Sequence, residues 1–317
     1  MRIFFTLLVI FIFGRLYSQP IVSELPVHFG QYFYNPQINP AKGCIRSDVE
    51  LYAFSRRNSN SFGGVFTSAF SAFFRIMKKN NGFNSIGIDF YSDREGPVLS
   101  RNRAHLSFSR HQKINDTWFF SAGLSFGLYN FSVKPTDYAA GASASTIDGN
   151  GGVMLYSSTT RIGLSINQYT NTKARPVDQV IHLNRHFYLL GEHDFIVNES
   201  FSITPSVFAK FTPALINPYL QKVNIGASFL LLIKKMVSFG GGYDLREGFY
   251  GFAGIQNIPI PQNGKTNRLS IDFAYFMPQL SNTRTNTQAY EIMVRYLFGK
   301  GDSAAAPKSG AADCPTF

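Results

Sequence analysis

The chain is short of several things at once. It has two cysteines, Cys44 and Cys314, and one tryptophan, Trp118, in 317 residues. So few cysteines exclude a disulfide-stapled scaffold, and no Cys-x-x-Cys pair suggests a zinc or redox site. Whether Cys44 meets Cys314 is left open. Charged residues are only 15% of the chain, against roughly a quarter in a soluble domain. No stretch reaches the ~20 apolar residues of a membrane-spanning helix. The strongest internal candidate, Phe229 to Ile233, ends at Lys234-Lys235. Catalytic patterns are missing too. His182 and His186 have helix-like spacing but no neighbouring carboxylate to complete a metal site. His105 and Ser107 share a strand face, yet nothing in the sequence places the third group that a nucleophile needs. Gly240-Gly241-Gly242 lacks the Lys and Ser/Thr of a phosphate loop. No catalytic, metal or cofactor site is expected, and the chain is read as non-enzymatic.

What is present begins at the N-terminus. Met1-Arg2, an apolar run from Ile3 to Phe13, and Leu16-Tyr17-Ser18 form a secretory signal over 1–18, with Gln19 as the mature start. An exported chain without a spanning helix is either soluble outside or a barrel. Thirty-two Phe and 16 Tyr, with a mean hydropathy of −0.05, favour strands that face lipid on one side only. The net charge of +11 is spread along the chain. That spread, with export, argues against nucleic acid and for lipid head groups or an acidic protein partner.

Period-two alternation carries the fold. Trp118, Phe120, Ala122, Leu124, Phe126 and Leu128 share a face, with Phe119, Ser121, Gly123, Ser125 and Gly127 between them. Val223 to Ile233 and Ile162 to Ile166 repeat the pattern. The expected fold is all-β: a transmembrane antiparallel barrel over 46–299 with 14 strands, near 46–57, 62–76, 83–91, 101–112, 116–130, 150–157, 160–169, 184–195, 200–209, 221–234, 237–245, 249–257, 268–277 and 288–299. If the first strand rises from the periplasm, the periplasmic turns are short, for example Lys113 to Asp116, Ser158-Thr159 and Lys234-Lys235. Outer connections such as Phe131 to Gly149 and Thr170 to Leu183 are long. The exception is Ile258 to Asn267, a longer periplasmic connection whose Ile-Pro-Ile-Pro run should be extended. Glu50, Asp89, Arg103 and His105 should point inward, where mixed charges pair and fill a lumen. The segment 19–45 is read as plug-like, and 300–317, rich in Ala, Gly, Ser and Pro, as a flexible periplasmic tail.

Before the first strand stand Phe29, Gln31, Tyr32, Asn35-Pro36, Asn39-Pro40-Ala41 and Gly43. Further on come Arg57-Asn58, Asp93-Arg94-Glu95-Gly96-Pro97, Asp148 to Tyr156, Gly163-Leu164-Ser165, Thr204-Pro205-Ser206 and Tyr290-Glu291-Ile292-Met293. In order and spacing these resemble the PorP/SprF family of type IX secretion membrane proteins, over roughly 28–299. The chain departs from the family's pattern at Ser59-Asn60, at Lys42, where an apolar or small residue is usual, and in its added tail. The resemblance implies an accessory outer-membrane barrel. It would support secretion or surface attachment of a substrate, such as a gliding adhesin, whose C-terminal domain directs it through the translocon. The SprF-like branch is favoured over the PorP-like one. Other partners implied are translocon components or a periplasmic peptidoglycan-binding protein, besides outer-membrane lipid. The plug residues would be Phe29, Gln31, Tyr32, Asn35, Asn39 and Pro40. Partner contacts are expected on the loops Ser92 to Ser100 and Phe131 to Gly149, at Asp93, Arg94, Gly96, Pro97, Asp137 and Tyr138. A rival expectation is a channel for small solutes, because fatty-acid-type transporters also combine 14 strands with an N-terminal plug carrying Asn-Pro-Ala. A third is a tether to the peptidoglycan-binding protein through the tail.

Overall fold

A computed structural model of the chain describes residues 36–59, 65–79, 81–96, 98–135, 141–174, 181–213, 222–245, 248–262, 265–277 and 288–299. The expected signal segment 1–18, residues 19–35 of the expected plug-like segment and the expected tail 300–317 lie outside them. The strands are β1 Val49–Ser59, β2 Val65–Lys79, β3 Gly82–Glu95, β4 Leu99–Lys113, β5 Phe119–Val133, β6 Ala142–Tyr156, β7 Thr160–Asn167, β8 Lys173–Ala174, β9 Ile181–His182, β10 His186–His193, β11 Phe195–Asn198, β12 Phe201–Thr212, β13 Lys222–Ile233, β14 Val237–Asp244, β15 Gly248–Gln262, β16 Lys265–Phe276 and β17 Gln288–Phe298. β10 and β11 are one wall strand interrupted at Asp194, and β8–β9 is a small ribbon in an outer connection.

The remaining strands make a closed antiparallel barrel of 14 strands. β1 pairs β17 in register from Val49↔Phe298 to Ser59↔Gln288, and β10 pairs both β7 and β12, so the ladder has no free edge. Closure satisfies the backbone in hydrocarbon, where water offers no hydrogen bonds. The alternation falls as expected. Leu106, Leu124, Phe126 and Leu128 project from the outer surface, each more than half exposed, while Ser107, Ser109, Ser121 and Ser125 turn inward and are buried.

The differences from expectation have a common cause. Several strands run past their apolar stretch, into water, where both faces are wet and alternation disappears. β6 begins at Ala142 rather than near 150. Its Ala-Ser-Ala-Ser-Thr start is held by polar cross-strand contacts, including Asn130 Nδ2 to Ser143 Oγ (2.9 Å) and to Ser145 Oγ (3.0 Å). The expected loop Phe131 to Gly149 therefore shrinks to 134–141. The expected loop Ser92 to Ser100 is mostly strand, closed by a tight turn at Gly96 (φ 68°). At the other end, Ile258 to Asn267 is a correction: it is a β-hairpin continuing β15 and β16, paired from Ile258↔Leu269 to Gln262↔Lys265. Its prolines are tolerated because β14 stops opposite Ile255. Pro259 and Pro261 share one parity, and a proline is tolerated on the side of a strand that has no neighbour to bond. A bulge between Ile255 and Ile258 sets this extension off from the wall.

The short turns gather at one end and the longer connections at the other, with β1 starting and β17 finishing at the short-turn end. That end is periplasmic by the habit of such barrels. One short turn is strained. Lys234 and Lys235 both have left-handed backbone (φ 49° and 58°), and Met236 N bonds Ile233 O at 3.0 Å, a type I′ turn without glycine. Replacing Lys234-Lys235 by Asn-Gly should stabilise the barrel by about 1–2 kcal/mol, read as a raised midpoint of urea unfolding in bilayers. An unchanged midpoint would remove the strain argument.

Candidate functional site inside the barrel and at its outer rim

The segment from Pro36 to Asp48 lies inside the barrel wall. From Asp48 at the short-turn end it climbs to Gln37 near mid-height, and Gln37 to Cys44 are all buried. Its centre is a single 3-10 turn, Pro40–Lys42, capped by Asn39. The chemistry of Asn-Pro-Ala explains the fit. Asn39 uses both ends of its amide. Oδ1 accepts from Ala41 N (3.0 Å), and Nδ2 donates to the wall carbonyls of Val153 (3.2 Å) and Leu164 (3.4 Å). Pro40 supplies a preset φ at the first position of the turn and has no N–H to leave unpaired. Ala41 donates nothing further but accepts, through its carbonyl, from Ser121 Oγ at 2.8 Å.

The receiving wall is built from glycine. A Cβ on Gly123 would stand 2.5 Å from the Pro40 carbonyl carbon and 2.6 Å from Ala41 N, and a Cβ on Gly152 would strike the Asn39 side chain. Higher up, Gln37 Nε2 donates to Phe90 O (2.9 Å) and Phe70 O (3.2 Å), and its Oε1 accepts from Arg103 Nη2 (3.1 Å). Lower down, Cys44 is fully buried against Phe73 and Phe83, and Arg75 Nη2 donates to its carbonyl at 2.8 Å. Cys44 is a free thiol whose ionisation is pushed upward by burial, and Cys314 lies outside the described residues. The sequence does not mark Gln37, Ser121, Gly123 and Gly152 as site residues. Their only trace in the sequence is an inward run of small or amide residues, which any barrel lumen shares.

Around this segment the lumen carries paired charge. Arg56 Nη1 meets Glu291 at 3.1 Å. Arg161 bonds Glu192 and also Asp194 (2.7 Å). His105 Nε2 lies 3.2 Å from Asp148 Oδ2, and its Nδ1 lies 3.3 Å from Ser125 Oγ. A Ser–His–Asp sequence of contacts thus exists, but not with Ser107, which donates instead to Asp89 (2.6 Å). All three members are at most 3% exposed. The arrangement offers a substrate no approach and serves the wall as a polar network. Among the described residues no group of histidines, cysteines and carboxylates could hold a metal.

The expected rim residues divide. Asp93 turns inward and is bonded by Thr67 Oγ1 (2.7 Å) and Arg101 Nη1 (3.5 Å). Arg94 is exposed and Gly96 forms the turn. Pro97, Asp137 and Tyr138 lie outside the described residues, as do Phe29, Gln31, Tyr32 and Asn35.

The sequence profile of the type IX secretion system membrane protein family PorP/SprF matches residues 21–296. The chain belongs to this family. It is an outer-membrane protein with a type IX secretion role. No functionally curated protein matches it. Its fold is similar to the Pseudomonas putida toluene transporter TodX (TM-score 0.49, 12% identity, 83% of this chain and 94% of that one). It is also similar to the Ralstonia pickettii toluene transporter TbuX (0.47, 11%, 84% and 92%) and to the translocator domain of the autotransporter NalP from Neisseria meningitidis (0.40, 7%, 79% and 88%). At such identities no ligand or transport activity carries across. Within the PorP/SprF pattern, Asn39, Pro40 and Ala41 are now seen to dock against the wall.

Lys42, the departure from the family's pattern, is buried. Desolvation lowers it well below the ordinary 10.5, opposed in part by Glu192. Between that depressed value and 10.5 the unfolded chain holds the extra proton. Stability from this group is therefore complete above 10.5 and is lost as pH falls through the window. Wild type should gain thermal stability from neutral pH to pH 10 relative to Lys42→Met, by up to about 1.4 kcal/mol per pH unit. Parallel curves for the two proteins would contradict the assignment. Docking itself is read at Cys44. In a Cys314→Ser background a maleimide should leave Cys44 unlabelled, and Gly123→Leu should expose it without unfolding the barrel. Equal labelling in both would show that the segment is not held there.

Proposed function

We propose that this barrel is a non-enzymatic accessory of type IX secretion that binds the C-terminal region of a secreted partner, such as a gliding adhesin, at its outer rim. The N-terminal segment acts as a plug. The observation that carries this reading is the buried segment Gln37 to Cys44 inside the barrel, behind the family match. Gln37 to Cys44 are buried against the lumen side of β2 to β7, and paired charges line β1, β7, β10 and β17, so the surface proposed for a macromolecule is the rim. The contacts proposed are Arg94, Gly96 and Pro97 on the β3–β4 turn, and Asp137 and Tyr138 on the connection 134–141. Asp93, though first grouped with them, acts through the wall, where its carboxylate joins Thr67 and Arg101. The SprF-like role fits a chain that binds a substrate. A periplasmic peptidoglycan-binding partner would instead use the tail 300–317 or the hairpin at Ile258 to Asn267. A solute channel is disfavoured by the same buried segment.

Deleting the gene should remove a large surface protein from the cell surface and leave it in the periplasm or the medium. Complementation with Arg94→Glu plus Tyr138→Ala should restore barrel but not display. Complementation with Asp93→Asn should restore display at whatever level the barrel folds. Normal display of every secreted substrate in the deletion strain would refute the role. Full display with the double rim variant would refute the contact surface.

A further inference from the structure

The wall that receives the docked segment has a second face. On the outside of β4 to β10 lies an apolar groove of about 730 Å³, within the ~300–1,000 Å³ usual for a bound small molecule. It exists because two outward positions carry little side chain. Ala122 and Gly151 form its floor, while Leu124, Ile166 and Phe187 stand around them. At one end is Arg110, the one charged residue lining it. Arg110 points outward between Asn84 and Ala122 of the neighbouring strands. Its Nη1 donates to Asn84 Oδ1 (3.0 Å) and its Nη2 to Gln112 Oε1 (3.1 Å). Both acceptors are neutral amides. They aim the guanidinium and leave its charge uncompensated, with further N–H donors to offer. Three residues on, β4 ends at Lys113, in the short turns of the periplasmic end.

We infer that this groove holds a phospholipid of the periplasmic leaflet, one acyl chain lying over Ala122 and Gly151 and the phosphodiester on Arg110. Near the interface, where a lipid-facing arginine costs far less than at the midplane, an uncompensated guanidinium attracts an anion, and phosphate is the anion found at that depth. Arg matches phosphate with two parallel donors, which Lys would not. The occupant is a lipid rather than a protein strand because the ladder here is fully paired. β5, β6 and β7 are each paired on both sides and leave no backbone edge for an added strand.

The test uses the full-length protein in nanodiscs of phosphatidylcholine containing phosphatidylglycerol. After transfer to detergent, the phospholipid still bound is counted by native mass spectrometry, and folding is checked by heat-dependent gel mobility. Wild type should retain one phospholipid. Ala122→Leu, which fills the groove from the lipid side, and Arg110→Gln, which keeps a hydrogen-bonding amide, should each reduce retention roughly tenfold, the effect of losing one charge-assisted contact. Arg57→Gln, an exposed arginine on β1 near the opposite rim, should not. If Ala122→Leu fails to fold, Arg110→Gln decides alone. Equal retention in wild type and Arg110→Gln overturns the phosphate site. Loss with Arg110→Gln but not with folded Ala122→Leu overturns the groove.

Discussion

Hydrocarbon supplies no hydrogen bonds, and most of this molecule follows from that constraint. Every backbone N–H and C=O in the wall must find a partner in the wall, so the sheet closes through β1–β17 and β10–β12. Closure then fixes the side chains. With period two, one set meets lipid and the other meets the interior, and a polar interior must satisfy itself. Many inward arginines, carboxylates and serines do so in pairs, for example Arg56 with Glu291 and Ser85 with Ser109. Removing one partner of such a pair strands a buried charge, which costs far more than the pair contributes.

The docked segment belongs to the same logic. A chain lying in a barrel brings its own N–H and C=O groups inside, and each needs an answer. Asn39 and Gln37 answer with side-chain amides that reach wall carbonyls, Pro40 by having no donor, and Ser121 by capping the Ala41 carbonyl. Glycine at 123 and 152 allows backbone to lie on backbone. The wall there is thin enough that a docked turn on one side and an apolar groove on the other are separated by little more than the sheet.

The strand number, the outward faces and the inward Glu50, Asp89, Arg103 and His105 were legible in the sequence, because lipid imposes a strict alternation on whatever crosses it. Strand ends were less so. Ala142 to Ile147 and Ile258 to Gln262 stand beyond the apolar band, where solvent wets both faces and the period-two signal fades. Asp93 looked like a loop residue for the same reason: its strand continues through the expected loop, and parity turns it inward. Asn39 and Pro40 were recognisable from the family motif, but not their partners. Gly123, Gly152 and Ser121 are ordinary lumen residues until a segment is laid against them.

The proposed role leaves the interior structural and assigns partner binding to the outer rim. Isolation of the barrel from native outer membranes under gentle detergent, followed by identification of what is held to it, tests this most directly. A large secreted protein should accompany the wild-type barrel through its C-terminal region and be lost from a barrel altered only at the rim. A barrel that comes away alone, or a partner whose retention ignores the rim, would contradict it.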